Sequence, residues 1–220
     1  MTTRSPRLCG STHAPGCGAR PGTLAIEAST LSPGWIRRLA TATGRAGLRF
    51  LEAPMIGSRP QVEARALVHL AGGPTAVLAD ARRVLEDSAA GIHHAGDYGT
   101  AATLKLIVNA SLTIQVATLA ELLGVARHAG IDVAAVQDFL GGLPVTSPAA
   151  ARAIGVMAAG DFTPNFPVGL VTKDLTYLAA LAEELSSETP MTRAALAGYR
   201  QADATGHTTD DLTAIAAIYS

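Results

Sequence analysis

The stretch TAATLKLIVNASLTIQVATLAELLGVARHAG, residues 100–130, decides the fold of this chain. It is apolar at most positions and contains no proline, so it predicts one long helix over residues 100–129. Gly130 follows as the residue that ends the helix, since glycine adopts the left-handed conformation of a helix C-terminus without strain. The sequence after Gly130 predicts further helices over 132–140, 148–158, 168–187, 190–205 and 209–219.

The residues before this helix have a different pattern. Short apolar runs predict strands over 23–29, 48–55, 66–73 and 91–96. Helical patterns fill the intervals at 33–46, where Pro33 stands at the favoured first position, and at 74–89. Alternating strands and helices are typical of an open α/β sheet. The sequence therefore predicts an α/β half followed by an all-α half, with the boundary near 96–99.

The first 22 residues have no hydrophobic period and are rich in Gly, Pro, Ser and Arg, so we expect an irregular segment over 1–22. The stretch GCGARPG, 16–22, looks superficially like a nucleotide-binding loop. No strand precedes it, and Pro21 stands where a helix would open, so we interpret it as a chance match.

Composition excludes several classes of protein. The chain has 220 residues, 17 basic against 18 acidic, and a net charge of −1, which argues against a nucleic-acid-binding surface and an acidic disordered tail. Cys9 and Cys17 cannot staple a domain of this size, and no secretory signal precedes them. The histidines lack the spacing of metal ligands. We expect a reduced, soluble, cytoplasmic protein without a metal.

The long helix raises the question of a membrane. Residues 106–126 could span a bilayer and carry one charge, Glu121. Several polar residues interrupt the apolar stretch, and no cationic flank or aromatic belt marks an interface. We interpret this helix as buried between domains or between subunits.

Lysine is rare here: of the 17 basic residues only Lys105 and Lys173 are lysines. Arginine does not lose its proton in proteins, whereas a desolvated lysine can, so each lysine is a candidate for chemistry or a chance survivor at the surface. Lys105 and Asn109 share one face of the long helix, and apolar neighbours would lower the lysine pKa and suit it to proton transfer. The alternative is a lysine that reaches solvent beside an asparagine in a packing gap.

Two further stretches are candidates from the residues alone. Lys173 and Asp174, early in a predicted helix, form either a site for a phosphate or carboxylate group or an ordinary surface ion pair. EAPMIGS, 52–58, ends a strand in a Pro–Gly turn. Ligands bind at the carboxyl ends of strands in open α/β sheets, but a plain turn explains the pattern equally well.

Five motifs stand in one order at compatible spacings: EASTLSP (27–33), FLEAPMIGSRP (50–60), GDYGTAATLKLIVN (96–109), FPVGLVTKDL (166–175) and DLTAI (211–215). Together they resemble the β-hydroxyacid dehydrogenases, which include 3-hydroxyisobutyrate dehydrogenase and the glyoxylate/succinic semialdehyde reductases. The resemblance covers residues 23–220. It implies a partial Rossmann-like NAD(P)-binding domain over 23–97. An all-α domain over 98–220 follows, resembling the C-terminal domain of 6-phosphogluconate dehydrogenase and implying NAD binding and dimerisation.

The resemblance also implies roles for single residues. Lys105 matches the catalytic lysine, which exchanges a proton with the substrate hydroxyl while hydride passes to or from the nicotinamide of NAD or NADP. Asn109 matches a substrate-binding residue, and Gly57 and Ser58 lie in the substrate loop. The cofactor contacts implied are Thr30, Lys173 and Phe166, while Asp211 matches a position beside the site. The expected partners are a small hydroxy acid or aldehyde and a second copy of the chain.

The chain departs from the family at two places. Ile56 stands where the family usually has a serine that binds the substrate carboxylate, and Ser58 follows two residues later, so a bulkier or less polar substrate is expected. The strand and GxGxxG loop that open the family's Rossmann domain do not precede Thr23, so pyrophosphate binding would be weak and one sheet edge unpaired. Two functions therefore stay open: an NAD(P)-dependent oxidoreductase of small 3-hydroxy acids, or a truncated, non-catalytic dimerisation module.

Overall fold

The structure is a computed structural model that describes residues 18–219. Cys9, Cys17 and most of the predicted irregular segment lie outside the described residues. Contacts between Cα atoms divide the chain into two compact units, of which the first ends at Lys105 and the second begins at Leu106. The order of an α/β part followed by an all-helical part is confirmed.

The first unit is built around a five-stranded sheet. Its elements are β1 (Leu24–Glu27), α1 (Pro33–Arg45), β2 (Arg49–Glu52), β3 (Met55–Ile56), α2 (Arg59–Glu63), β4 (Leu67–Gly72), α3 (Thr75–Leu85) and β5 (Ala89–Gly96). Strands β1 and β2 are parallel, as are β4 and β5, whereas β4 runs antiparallel to both β2 and β3. Leu51, Ala71 and Leu78 belong to the core packed among these elements.

The predicted strand over 48–55 is in fact two strands. Proline has no N–H to donate to a ladder, and the chain bends at Pro54, whose carbonyl accepts a hydrogen bond from Leu70 N at 2.9 Å. The short helix α2 that follows was not predicted. By contrast, α1 begins as the sequence indicates, with Pro33 in its first turn and the Ser32 hydroxyl accepting from Trp35 N at 3.2 Å.

The second unit contains most of α4 (Thr100–His128), together with α5 (Val133–Gly141), α6 (Pro148–Ala159), α7 (Val168–Glu184) and α8 (Pro190–Ala202). A π-helical turn, Asp203–His207, follows α8, and the chain closes with a 3₁₀ helix, Leu212–Tyr219. The helix predicted over 190–205 is α-helical only to Ala202, and its last residues belong to the π-helical turn, in which Gly206 has φ 102°. Tyr199 is fully buried at the centre of this unit and donates a hydrogen bond to Thr113 O at 3.3 Å.

Among residues 18–219, α4 is the helix that is long and apolar enough to cross a membrane by length and composition, and 39% of its most apolar window is buried within this chain. Core helices of water-soluble proteins pass the same test. Its exposed apolar side chains include Ile107, Leu122 and Val125.

Replacing Gly72 by alanine is expected to lower the free energy of unfolding by about 1–3 kcal/mol, the usual cost of overpacking a core. A Cβ at this position would lie 2.2 Å from Glu52 Oε1. The matched control is Gly44→Ala in α1, where a Cβ meets nothing within 4 Å. This control is expected to raise stability by about 0.4–1 kcal/mol. Urea unfolding of both variants checks the pair, and equal effects would contradict the expectation.

Candidate functional site

The start of α4 is fixed by a carboxylate from the sheet. Glu52 is the last residue of β2 and is fully buried. Its Oε1 accepts a hydrogen bond from Gly99 N at 2.6 Å, and its Oε2 accepts one from Ala102 N at 3.1 Å. Because the first amides of a helix have no partner within the helix, this one side chain caps α4. Lys105 follows as the sixth residue of the helix and is half-buried.

The electrostatics around Glu52 act in opposite directions. Burial raises the pKa of the Glu52 carboxyl, while the amide hydrogen bonds and the Arg37 charge act to lower that pKa. Tyr98, in the segment just before α4, donates its hydroxyl proton to Phe50 O at 2.8 Å. Burial, and then the charge of Glu52, raise the pKa of Tyr98.

The other predicted residues of the first unit lie on turns. Thr30 lies between β1 and α1, beyond the carboxyl end of the parallel pair β1–β2. Gly57 has φ 127°, and a Cβ there would lie 2.8 Å from the Leu67 side chain, so glycine is needed for the turn itself. Ser58 opens α2, and both its N–H and its hydroxyl donate to Gln61 Oε1, at 2.9 and 3.0 Å.

In the second unit, three polar side chains from two helices form a network. Asn109 of α4 donates its Nδ2 to Asp174 Oδ2 of α7 at 2.6 Å. Lys173 Nζ lies 2.7 Å from Asp174 Oδ1 and 5.0 Å from the centre of the Tyr177 ring. The Asp174 side chain is 4% exposed and that of Lys173 is 31% exposed. The alternative of an ordinary surface ion pair is therefore wrong, because the carboxylate is buried and also holds Asn109.

A second buried carboxylate holds the segment before α7. Asp211 is 2% exposed, and its Oδ2 accepts from Asn165 N at 3.0 Å and Phe166 N at 3.3 Å. Its Oδ1 accepts from Thr213 N at 3.2 Å and from the Thr213 hydroxyl at 2.8 Å. Asp211 thus ties the segment that carries Phe166 to the chain's final helix.

Sequence reasoning missed Glu52 as the cap of α4 in the first unit and, in the second, missed that Asp174 accepts from Asn109. In the sequence, Glu52 was noted only as the first residue of the stretch EAPMIGS. A glutamate at the end of an apolar strand, directly before Ala-Pro, could have indicated a buried carboxylate. Nothing in the sequence indicated that Asp174 meets Asn109. Across the part of the chain that the structure describes, no three His, Cys, Asp or Glu side chains group as metal ligands do.

Two family models match the chain. Residues 16–96 match the NAD-binding domain of 6-phosphogluconate dehydrogenase. Residues 99–219, more than half of the chain, match the NAD-binding domain of NADP-dependent 3-hydroxyisobutyrate dehydrogenase. The cofactor class is therefore NAD or NADP, and helix α4 lies within the second of these domains.

Individual relatives agree with the family models. A 3-hydroxyisobutyrate dehydrogenase of Pseudomonas aeruginosa is 33% identical over 175 residues, which are 76% of this chain and 59% of that protein. The cytokine-like nuclear factor N-PAC of Xenopus tropicalis is 30% identical over 202 residues, which are 92% of this chain and 38% of that protein. The chain thus spans less than two thirds of the length of either relative.

A solved structure shows the same fold. The 3-hydroxyisobutyrate dehydrogenase of Mycobacterium tuberculosis, crystallised with L-serine, superposes with a TM-score of 0.81 at 28% identity, covering 92% of this chain and 72% of that one. The Rossmann-like unit and the all-helical unit both follow this architecture. With the matched domains, the ordered motifs and this fold taken together, the chain belongs to the β-hydroxyacid dehydrogenase family.

Proposed function

We propose that this chain binds NAD or NADP and transfers hydride between the nicotinamide and a small 3-hydroxy acid or the corresponding aldehyde or keto acid. The observation that carries the proposal is the setting of Lys105: half-buried, in the second turn of a helix whose first turn is held by Glu52. A lysine in such a setting can take up and release a proton, which is what the oxidation of an alcohol requires.

Each residue has a defined task in this proposal. Lys105 accepts the hydroxyl proton of the substrate during oxidation and returns it during reduction. Asn109, whose Nδ2 also donates to Asp174, binds the substrate through its side-chain amide. Gly57 and Ser58 form the turn that lines the substrate, although the Ser58 hydroxyl already donates to Gln61.

The residues present fit a dinucleotide. The turn that carries Thr30 lies beyond the carboxyl ends of two parallel strands, where open α/β sheets bind nucleotides. Thr30, Lys173 and Phe166 would hold the cofactor, with Lys173 supplying a positive charge that stays partly exposed. The nicotinamide, when bound, supplies or accepts the hydride.

The preferred substrate class is inferred from Ile56, which directly precedes the turn of Gly57 and Ser58. Ile56 is half-buried at the position where the family usually places a carboxylate-binding serine. An apolar side chain there favours a substrate with an alkyl substituent over a strongly polar one. We therefore expect 3-hydroxyisobutyrate to be oxidised with a higher kcat/KM than L-serine.

Cofactor titration tests the proposal directly. Trp35 is the one tryptophan of the chain, so energy transfer from its indole to a dihydronicotinamide reports binding without a label. We expect saturable transfer with NADH or NADPH, followed by formation of reduced cofactor when 3-hydroxyisobutyrate is added with the oxidised form. A folded protein that shows neither would overturn the proposal.

The nuclear factor N-PAC, whose name states no enzymatic activity, is similar over 92% of this chain, and so we keep a second candidate, a non-catalytic dimerisation module. The exposed apolar side chains of α4 would then serve self-association. A stable dimer in light scattering, with no cofactor binding and no turnover, would support this candidate. A monomer that binds NADPH would exclude it.

Replacing Lys173 by alanine is expected to weaken NADPH binding about tenfold, which corresponds to about 1.4 kcal/mol, because the variant removes a cation from the proposed cofactor site. Stability should also fall, because Asp174 stays buried without its cation. Arg193→Ala, which removes an exposed cation 3.9 Å from Glu183, is the matched control and should leave the Kd unchanged. The Trp35 titration measures both variants, and equal affinities would argue against a cofactor role for Lys173.

A further inference from the structure

The cap of α4 comes from an unusual source. Gly99, the residue that precedes the helix, has no side chain to cap it, and the carboxylate is supplied by Glu52 from 47 residues earlier in the chain. Both carboxylate oxygens are used, one for the amide of Gly99 just before the helix and one for the amide of Ala102 in its first turn. A buried negative charge at the positive end of a long helix is stabilised by the helix dipole.

The positions next to Glu52 and Arg37 are occupied by glycines, because a larger residue would collide with these two side chains. Gly72, its register partner on β4, would bring a Cβ to 2.2 Å from Glu52 Oε1 and 2.8 Å from its Cδ. A Cβ on Gly99 would lie 2.7 Å from Arg37 Nη1. Glycine at these two positions admits the glutamate on one side and the guanidinium on the other.

The charged and titratable groups around Glu52 come from three elements. Arg37 of α1 acts on Glu52 as an opposite charge. Tyr98, just before α4, is affected in turn by the Glu52 charge. Glu27 is the register partner of Glu52 on β1, but its Oε1 accepts from Ser29 N at 2.8 Å, so it serves the turn that carries Thr30.

Lys105 lies three residues beyond Ala102, the second amide that Glu52 holds, which is a rise of about 4.5 Å along the helix. In an α-helix each Cα–Cβ bond leans toward the N-terminus, so the Cβ of Lys105 lies on the side of the capped turn. A displacement of that turn therefore moves the backbone from which the lysine side chain extends. A change in the charge of Glu52 alters the electrostatic field at the lysine ammonium.

We propose that Glu52 is the positioning residue for Lys105: its carboxylate fixes the start of α4 and with it the backbone from which the lysine side chain extends. This inference rests on the proposed function, and it adds a residue that acts through Lys105 without touching the substrate. It predicts that loss of the Glu52 charge shifts the side-chain signals of Lys105 and leaves the NADPH Kd unchanged.

The test uses the rarity of lysine in this chain. In an NMR spectrum of protein labelled with ¹³C-lysine, the side-chain signals come only from Lys105 and Lys173. The variant Lys173→Arg removes one set of signals and so assigns both. In Glu52→Gln the Lys105 signal is expected to move while that of Lys173 stays. Amide hydrogen exchange at Gly99 and Ala102 is expected to rise at least about tenfold, because neither amide keeps a charged acceptor. The exposed Glu63 provides the control Glu63→Gln, which should change neither.

Turnover supplies a second readout. In Glu52→Gln we expect kcat to fall about tenfold to a hundredfold with the NADPH Kd unchanged, and Glu52→Asp, which keeps the charge, to recover part of the rate. A Glu52→Gln protein with unmoved lysine signals and unchanged amide exchange would overturn the inference. If Glu52→Gln does not fold, Gly72→Ala is measured by the same signals, because its Cβ would lie 2.2 Å from Glu52 Oε1 and displace the carboxylate; unmoved Lys105 signals and unchanged amide exchange there overturn the inference too. Because the lysine signals need no activity, an inactive parent chain would overturn the proposed function alone.

Discussion

Lys105→Met is expected to reduce kcat for hydroxy-acid oxidation by about 10²–10⁴-fold, the usual contribution of a general acid–base group. Methionine has nearly the length of lysine and a similar helix propensity, so α4 should form unchanged. The buried cap from Glu52 precedes the substituted position and does not depend on it. Initial rates of reduced-cofactor formation measure kcat, and the Trp35 titration shows whether the NADPH Kd is retained.

Lys105→Arg separates charge from proton exchange. Arginine keeps the positive charge but does not release its proton, so this variant should be about as slow as Lys105→Met if the lysine acts as the acid and base. A Lys105→Arg enzyme with the parent rate would show that only the charge is needed. Parent-like turnover in both variants would contradict the catalytic assignment.

The order of the two units could be predicted because it depends on local patterns. A long apolar stretch without proline forms α4, and alternating apolar runs form the sheet. The main error lies where one residue interrupts a pattern: Pro54 divides the strand predicted over 48–55.

The contacts of the candidate residues were harder to predict from the sequence, because they join residues that are far apart in the chain. Asn109 and Asp174 are 65 residues apart, and a carboxylate next to a lysine looks the same in sequence whether exposed or buried. Glu52 and Gly99 are separated by 47 residues. Only the fold shows that these acids serve as internal acceptors, whereas Lys105 could be predicted as a candidate from its rarity, its apolar neighbours and its motif.

Asp211→Ala is expected to lower the free energy of unfolding by about 3–5 kcal/mol, because a buried charged acceptor is removed and its donors are left behind. Three backbone amides, those of Asn165, Phe166 and Thr213, donate to this carboxylate. The segment 165–167 leads directly into α7, so loss of the acceptor should also free Phe166. Urea unfolding measures the stability, and amide exchange at Phe166 measures the local release.

The neighbouring Asp210→Ala is the matched control. Asp210 also forms a hydrogen-bonded pair, 2.8 Å from His207 Nδ1, but its side chain is 40% exposed. Exposed pairs contribute about 0.2–1 kcal/mol, so this variant should remain close to the parent. Asp211→Asn, which keeps one acceptor oxygen, should fall between the two. If Asp211→Ala were as stable as Asp210→Ala, the four hydrogen bonds would not fix the segment before α7, and the placement of Phe166 would need another cause.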